Sequence, residues 1–135
     1  MLHNLLATYL DLVENAIESL RDAYVERYQE EILTPIRLNL KIRVRFSTGN
    51  LLEISEAIVI ENNSLMWLDY RYHYQDDQNK LIFRYDSTPH FPNLPSFPHH
   101  KHLPKEVIAC QKPAIWEVVQ EVSSRIRNAS TPNQE

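Results

Sequence analysis

Residues 36–46 read IRLNLKIRVRF, with Ile36, Leu38, Leu40, Ile42, Val44 and Phe46 alternating without a break against Arg37, Asn39, Lys41, Arg43 and Arg45. A period of two places every apolar side chain on one face and every polar one on the other, which a strand satisfies and a helix cannot. One face must therefore be covered and the other left to water, so the chain needs partner strands and a layer to pack over them. STGN ends this strand. A three-residue loop of Thr48, Gly49 and Asn50 would pair Phe46 with Leu52, Val44 with Ile54 and Arg45 with Glu53, whereas a two-residue loop would set Arg45 against Leu52. The apolar face selects the longer loop.

Further along, LMWLDYRYHYQ and KLIFRYD flank DDQN as a second hairpin. Symmetric closure pairs Tyr74 with Leu81, Tyr72 with Phe83 and Tyr70 with Tyr85. The covering layer is legible at both ends. Leu2, Leu5, Leu6, Tyr9, Leu12, Val13, Ala16, Ile17, Leu20, Ala23 and Tyr24 predict one amphipathic helix over residues 2–28, closed by Pro35. Ile115, Val118, Val119, Val122 and Ile126 predict a second, opened by Pro113. The expected fold is α+β, a four-stranded antiparallel meander in the order α-β-β-β-β-α with both helices on one face. It forms a single domain over residues 1–127, with a flexible polar tail over 128–135.

Composition narrows the function classes. A single glycine in 135 residues rules out glycine-rich phosphate loops, so nucleotide cofactors are not expected. One cysteine, Cys110, cannot close an intramolecular disulfide. The N-terminus carries acids where a secretory signal needs bases, and no window approaches about 20 consecutive apolar residues. A soluble, cytoplasmic protein is the expectation. The net charge of −4 argues against a non-specific nucleic-acid coat, yet acids crowd residues 11–31 while bases gather in the strands and the histidine-rich segment.

That segment, TPHFPNLPSFPHHKHLP at residues 88–104, holds four of six histidines and five of eight prolines, and is expected to be irregular throughout. It follows a strand pair whose polar face carries Asp69, Arg71 and His73 beside Arg84 and Asp86. Imidazoles move protons near neutral pH and arginines stabilise phosphate charge, a combination suited to metal-free RNA cleavage. His90 with His100 or His102 form the expected acid and base pair; Arg71, Arg84 and Lys101 would hold phosphate. Three other readings stand beside this one, the first purely structural, with the prolines stiffening a loop whose histidines cap the sheet and bond backbone groups. His100 and His102, with His90 and Asp86, could ligate a metal for hydrolysis, and the same basic face could dock a protein without catalysis.

The strings YRYHYQD, RYDSTPH and FPHHKHLP within residues 68–104 resemble the TumE family, toxin components of bacterial toxin–antitoxin systems. Its motif falls on Tyr72, His73, Tyr74, Asp76, Arg84, Tyr85, Asp86, Pro89, His90, Pro98, His99, His100, Lys101 and His102, with Ser87 where the family pattern has asparagine. The resemblance implies a small cytoplasmic toxin with a cognate antitoxin as partner, and it invites comparison with ribonuclease toxins. The expected catalytic set is His73, His90, His99, His100, His102 and Asp86; the expected substrate-binding set is Arg71, Arg84, Lys101 and Tyr72. RNA is the candidate substrate and a homodimer an open arrangement, with no cofactor and no metal assigned.

Overall fold

In a computed structural model, residues 1–130 are described. The alternating segment is a strand, as its pattern requires, and it sits second in a sheet of seven. The order along the chain is α1 (Asn4–Glu18), β1 (Ala23–Thr34), β2 (Arg37–Phe46), β3 (Leu51–Glu61), β4 (Ser64–Gln75), β5 (Leu81–Asp86), β6 (His100–Leu103), β7 (Glu106–Ala109) and α2 (Ile115–Ser130). Every strand pairs antiparallel with its sequence neighbour, so the sheet is a meander in the order β1 to β7. The α+β class and the two flanking helices hold; the count of four strands does not.

Three strands escaped the pattern. Helix α1 stops at Glu18, where the Ser19 hydroxyl and amide bond back to the last carbonyls, and Asp22 at φ 54° turns the chain into β1. The apolar spacing that continued through Tyr24 was a coincidence of period, because almost all of β1 is exposed and its burial gave alternation nothing to act on. Tertiary pairing decides this segment: Arg43 Nε lies 2.7 Å and Arg45 Nε 3.3 Å from the Glu26 carboxylate, and Asn39 donates to Glu31 at 3.1 Å. Strand β6 lies inside the segment expected to be irregular, and β7 follows it through a tight turn. At the other end, α2 runs through residues 128–130 that were assigned to the tail; 131–135 lie outside the described residues.

Both hairpins keep the anticipated faces with shifted partners. Phe46 bonds to Asn50 across Ser47, Thr48 and Gly49, so Val44 opposes Leu52 and Arg43 opposes Glu53. Tyr72 opposes Tyr85 and Tyr74 opposes Phe83, with a bulge beyond Tyr74 absorbing the offset. A shift of two residues preserves the inward set, which is why the apolar pattern could not resolve it. Core side chains from β2 to β5 meet Leu6, Tyr9, Leu10, Val13 and Ile17 of α1 and Ile115, Val118, Val119 and Val122 of α2 in one cluster. The helices thus cover one sheet face, and the other face is left free for the polar residues of β2 to β6.

Candidate functional site

The pairing of β4, β5 and β6 assembles the site. Arg71 opposes Asp86 and His73 opposes Arg84 across β4 and β5, while Asp86 opposes His100 and Arg84 opposes His102 across β5 and β6. Alternation then sends all six side chains to the uncovered face. Residues remote in sequence become adjacent because β6 returns the histidine-rich segment to the sheet.

At the centre, Asp86 is 4% exposed and His100 1% exposed. The Nε2 of His100 lies 2.8 Å from Asp86 Oδ1, and the Nε2 of His102 lies 3.5 Å from Asp86 Oδ2. The two Nε2 atoms are 3.1 Å apart. On the far side of the His100 ring, Nδ1 stands 2.9 Å from the Pro98 carbonyl oxygen, an acceptor only, so Nδ1 carries hydrogen and Nε2 is the atom turned to the carboxylate. Asp86 is itself held: Arg84 Nε donates to Oδ2 at 3.2 Å and the Thr88 amide donates to Oδ1 at 3.0 Å. Phe91 lays its edge against both imidazoles, 4.9 Å from His100 and 5.8 Å from His102 between centroids. Burial, then Arg84, lower the pKa of His102, with Asp86 pulling the other way, so the site favours the neutral ring.

A cavity of about 330 Å³ opens over this cluster, lined by Arg71, Arg84, Asp86, Thr88, His90, Phe91 and His102. The exposed His90 stands at its mouth. The segment reaching from β5 to β6 is wound into successive turns, with Leu94, Phe97 and His99 amides bonded three residues back and a cis bond at Phe97–Pro98. Ser96 anchors it, donating to the His99 carbonyl at 2.5 Å and accepting from the Cys110 amide at 3.0 Å. The prolines therefore serve a shaped loop whose histidines reach different places.

Of the ten residues expected from sequence, Asp86, His100, His102, Arg71, Arg84 and His90 come together here. His73 stands beside them on the same face, half-buried, with Nε2 at 2.8 Å from Gln75 Oε1 and burial lowering its pKa. Three others are placed elsewhere by the same alternation. Lys101 points to the helix side, 2.9 Å from Glu121 and over the rings of Phe83 and Tyr85. Its charge is spent tying β6 to α2. Tyr72 is 0% exposed and donates to Glu56, beyond the reach of any substrate. His99 stacks on Tyr70, its Nδ1 2.9 Å from the Tyr70 hydroxyl, again on the helix side.

Sequence reasoning missed Phe91, Thr88 and the Pro98 carbonyl, none of which advertises chemistry by residue type. It also missed a second polar centre. Glu56, 3% exposed, accepts from Tyr9 at 2.6 Å, from Trp67 at 2.9 Å and from Tyr72, and burial raises its pKa. The signal was present in the pattern: Ile54, Glu56 and Ile58 share one face of β3, so a carboxylate occupies an inward position.

Among the described residues, no helix is long and apolar enough to cross a membrane. No curated protein and no solved structure matches the chain. The model of one family, Toxin TumE, matches residues 11–126, a span that includes all seven strands and every residue of the cluster. The chain belongs to the TumE toxin family.

Proposed function

We propose that this toxin is an endoribonuclease whose reaction takes place over Asp86, His100 and His102. One observation carries the reading: a buried carboxylate and two imidazoles converge beneath an open cavity rimmed by arginines and an exposed histidine. In the proposed reaction the cluster removes the proton of a ribose 2′-hydroxyl, the 2′ oxygen bonds to phosphorus, and the bond from phosphorus to the 5′ oxygen breaks. His90 supplies the proton to that leaving oxygen, and Arg71 and Arg84 neutralise the charge gathering on the phosphoryl oxygens. Such a reaction leaves a 2′,3′-cyclic phosphate and a 5′-hydroxyl, with atoms and protons balanced.

The sheet surface supports RNA as the ligand. Arg71 also lines a second groove of about 220 Å³ with Arg27, Lys41, Arg43 and Glu53, so cationic side chains continue from the cluster across the uncovered face, Arg43 among them paired with Glu26 and Glu53. Toxin family membership implies an antitoxin partner, and the same basic face is the surface an antitoxin would have to mask.

Induced expression of the wild type and of His90→Ala, with total RNA mapped for new 5′ ends, tests the reading. His90 is exposed, so its loss should spare the fold while lowering cleavage by about 10²–10⁴-fold, the usual worth of a positioned acid. Intact RNA during growth arrest by a folded wild type would turn the conclusion to a binding module that acts without cutting.

A further inference from the structure

The three groups at the centre of the cluster pose a problem of lone pairs. Because His100 Nδ1 donates to the Pro98 carbonyl, the neutral ring presents a bare Nε2 to Asp86 Oδ1 at 2.8 Å and to His102 Nε2 at 3.1 Å. Lone pair faces lone pair at the carboxylate, and only a hydrogen on His102 Nε2 would relieve the contact between the two rings. A single proton on either Nε2 points along one direction and serves only one of the three contacts. A cation accepts electron pairs from all three at once.

The distances agree with that arrangement. All three ligand atoms lie within 4.8 Å of one another. Metal–nitrogen and metal–oxygen bonds of about 2.0–2.2 Å set ligand atoms about 3.3 Å apart around a tetrahedral ion. The separations bracket that value, with the carboxylate turning a different oxygen to each ring: 2.8 Å from His100 Nε2 to Oδ1, 3.5 Å from His102 Nε2 to Oδ2, and 3.1 Å between the two Nε2 atoms. The surroundings match as well: the Pro98 carbonyl fixes the His100 tautomer, Arg84 and the Thr88 amide hold the carboxylate, and Phe91 shields the rings. Such outer partners orient the ligands of a metal site. Strand geometry does the rest, since residues two apart on β6 share a face.

From this geometry we infer that Asp86, His100 and His102 bind a divalent transition-metal ion, with open positions turned to the cavity. Two imidazoles and a carboxylate suit zinc and its neighbours in the first row, and leave room for water or a phosphoryl oxygen. The inference rests on the ribonuclease reading only for the ion's use: a coordinated water brought toward a pKa of about 7 gives the cluster its base at neutral pH. The ion together with Arg71 and Arg84 leaves a surplus of positive charge that a phosphodiester would neutralise.

The test loads the metal-stripped full chain with zinc chloride, and separately with manganese chloride, and counts bound ions per chain. One ion per chain is expected for the wild type and for His99→Ala, whose ring is on the other face, with affinity weakened more than about 100-fold in His102→Ala. Zinc should raise the melting temperature of the wild type and not that of His102→Ala. Nitrogen-15 spectra of the wild type need no variant: zinc should shift Nε2 of both His100 and His102 while His100 Nδ1 keeps its proton. A folded wild type that takes up neither ion, or unaltered binding in His102→Ala, would overturn the metal site. RNA cleavage at full rate by the stripped chain in EDTA would overturn the ion's part in the reaction and leave the ribonuclease standing. Metal bound at the cluster with RNA untouched by the loaded chain would keep the site and sink the ribonuclease.

Discussion

Glu56 shows how one residue can decide the arrangement of three elements. Its carboxylate takes hydrogen bonds from Tyr9 on α1 and from Trp67 and Tyr72 on β4, and the Lys112 ammonium rests 3.9 Å over the Trp67 ring. Replacing it by alanine leaves the buried hydroxyls of Tyr9 and Tyr72 without an acceptor, at about 1–3 kcal/mol for each group. Urea denaturation of Glu56→Ala should therefore show a destabilisation on the order of 3 kcal/mol. Unchanged stability would mean that these hydroxyls find other partners. The pH dependence follows from the raised pKa. Between the unfolded value near 4.5 and the higher folded value, the folded chain holds a proton that the unfolded chain has released. Stability from this group is thus full below pH 4.5 and declines as pH rises through the folded pKa. The stability difference between wild type and Glu56→Gln should vary with that sign. Glu26 and Glu121, whose pKa values are lowered, act in the opposite sense: their stabilisation is full above 4.5 and fades as pH falls through their folded values. A difference that stays flat across the range would refute the buried-carboxylate account.

At the scale of elements, the hairpin of β2 and β3 turns on the one glycine of the chain. Gly49 has φ 93°, and a Cβ there would stand 2.7 Å from the Asp77 Cβ of the neighbouring hairpin. Two costs coincide, a backbone conformation hostile to side chains and a clash with the next turn. Gly49→Ala should destabilise the fold by about 1–3 kcal/mol in a thermal or urea melt. A neutral outcome would show that the two turns can separate freely. The same hairpin shows how much of an element sequence reveals: alternation named β2 and its inward face, and the turn residues marked its end. It did not give the register: the expected pairing of Phe46 with Leu52 is two residues off, because registers two residues apart bury the same side chains. Strand β1 was less legible still, since an element exposed on both faces carries no burial pattern, and its placement rests on pairing with β2 and on the ion pairs of Arg43 and Arg45 with Glu26.

For the whole molecule, acids stand exposed on a covering helix while the other face carries bases, some of them paired with Glu26 and Glu53. Asp11, Glu14 and Glu18 are exposed on α1, whereas Arg27, Lys41, Arg43 and Arg71 line a groove on the uncovered face. If RNA lies along this groove, Lys41→Ala combined with Arg71→Ala should weaken binding evenly across RNA sequences. The slope of log affinity against log salt should fall by about 0.7 for each phosphate that is no longer neutralised. Both side chains are exposed, so the melting temperature should not move. Anisotropy titrations at several salt concentrations measure this, and an unaltered slope would place the RNA elsewhere. The sequence by itself determined the α+β class, the two covering helices, the half-buried strands and the inventory of histidines, arginines and aspartate, because periodicity and residue chemistry are local properties. It could not determine which of those residues meet. His99, His100, Lys101 and His102 are consecutive, yet only His100 and His102 join Asp86, while His99 and Lys101 turn to the helices. That division arises when residues 100–103 become a strand beside β5, a choice made by backbone pairing between segments distant in the chain.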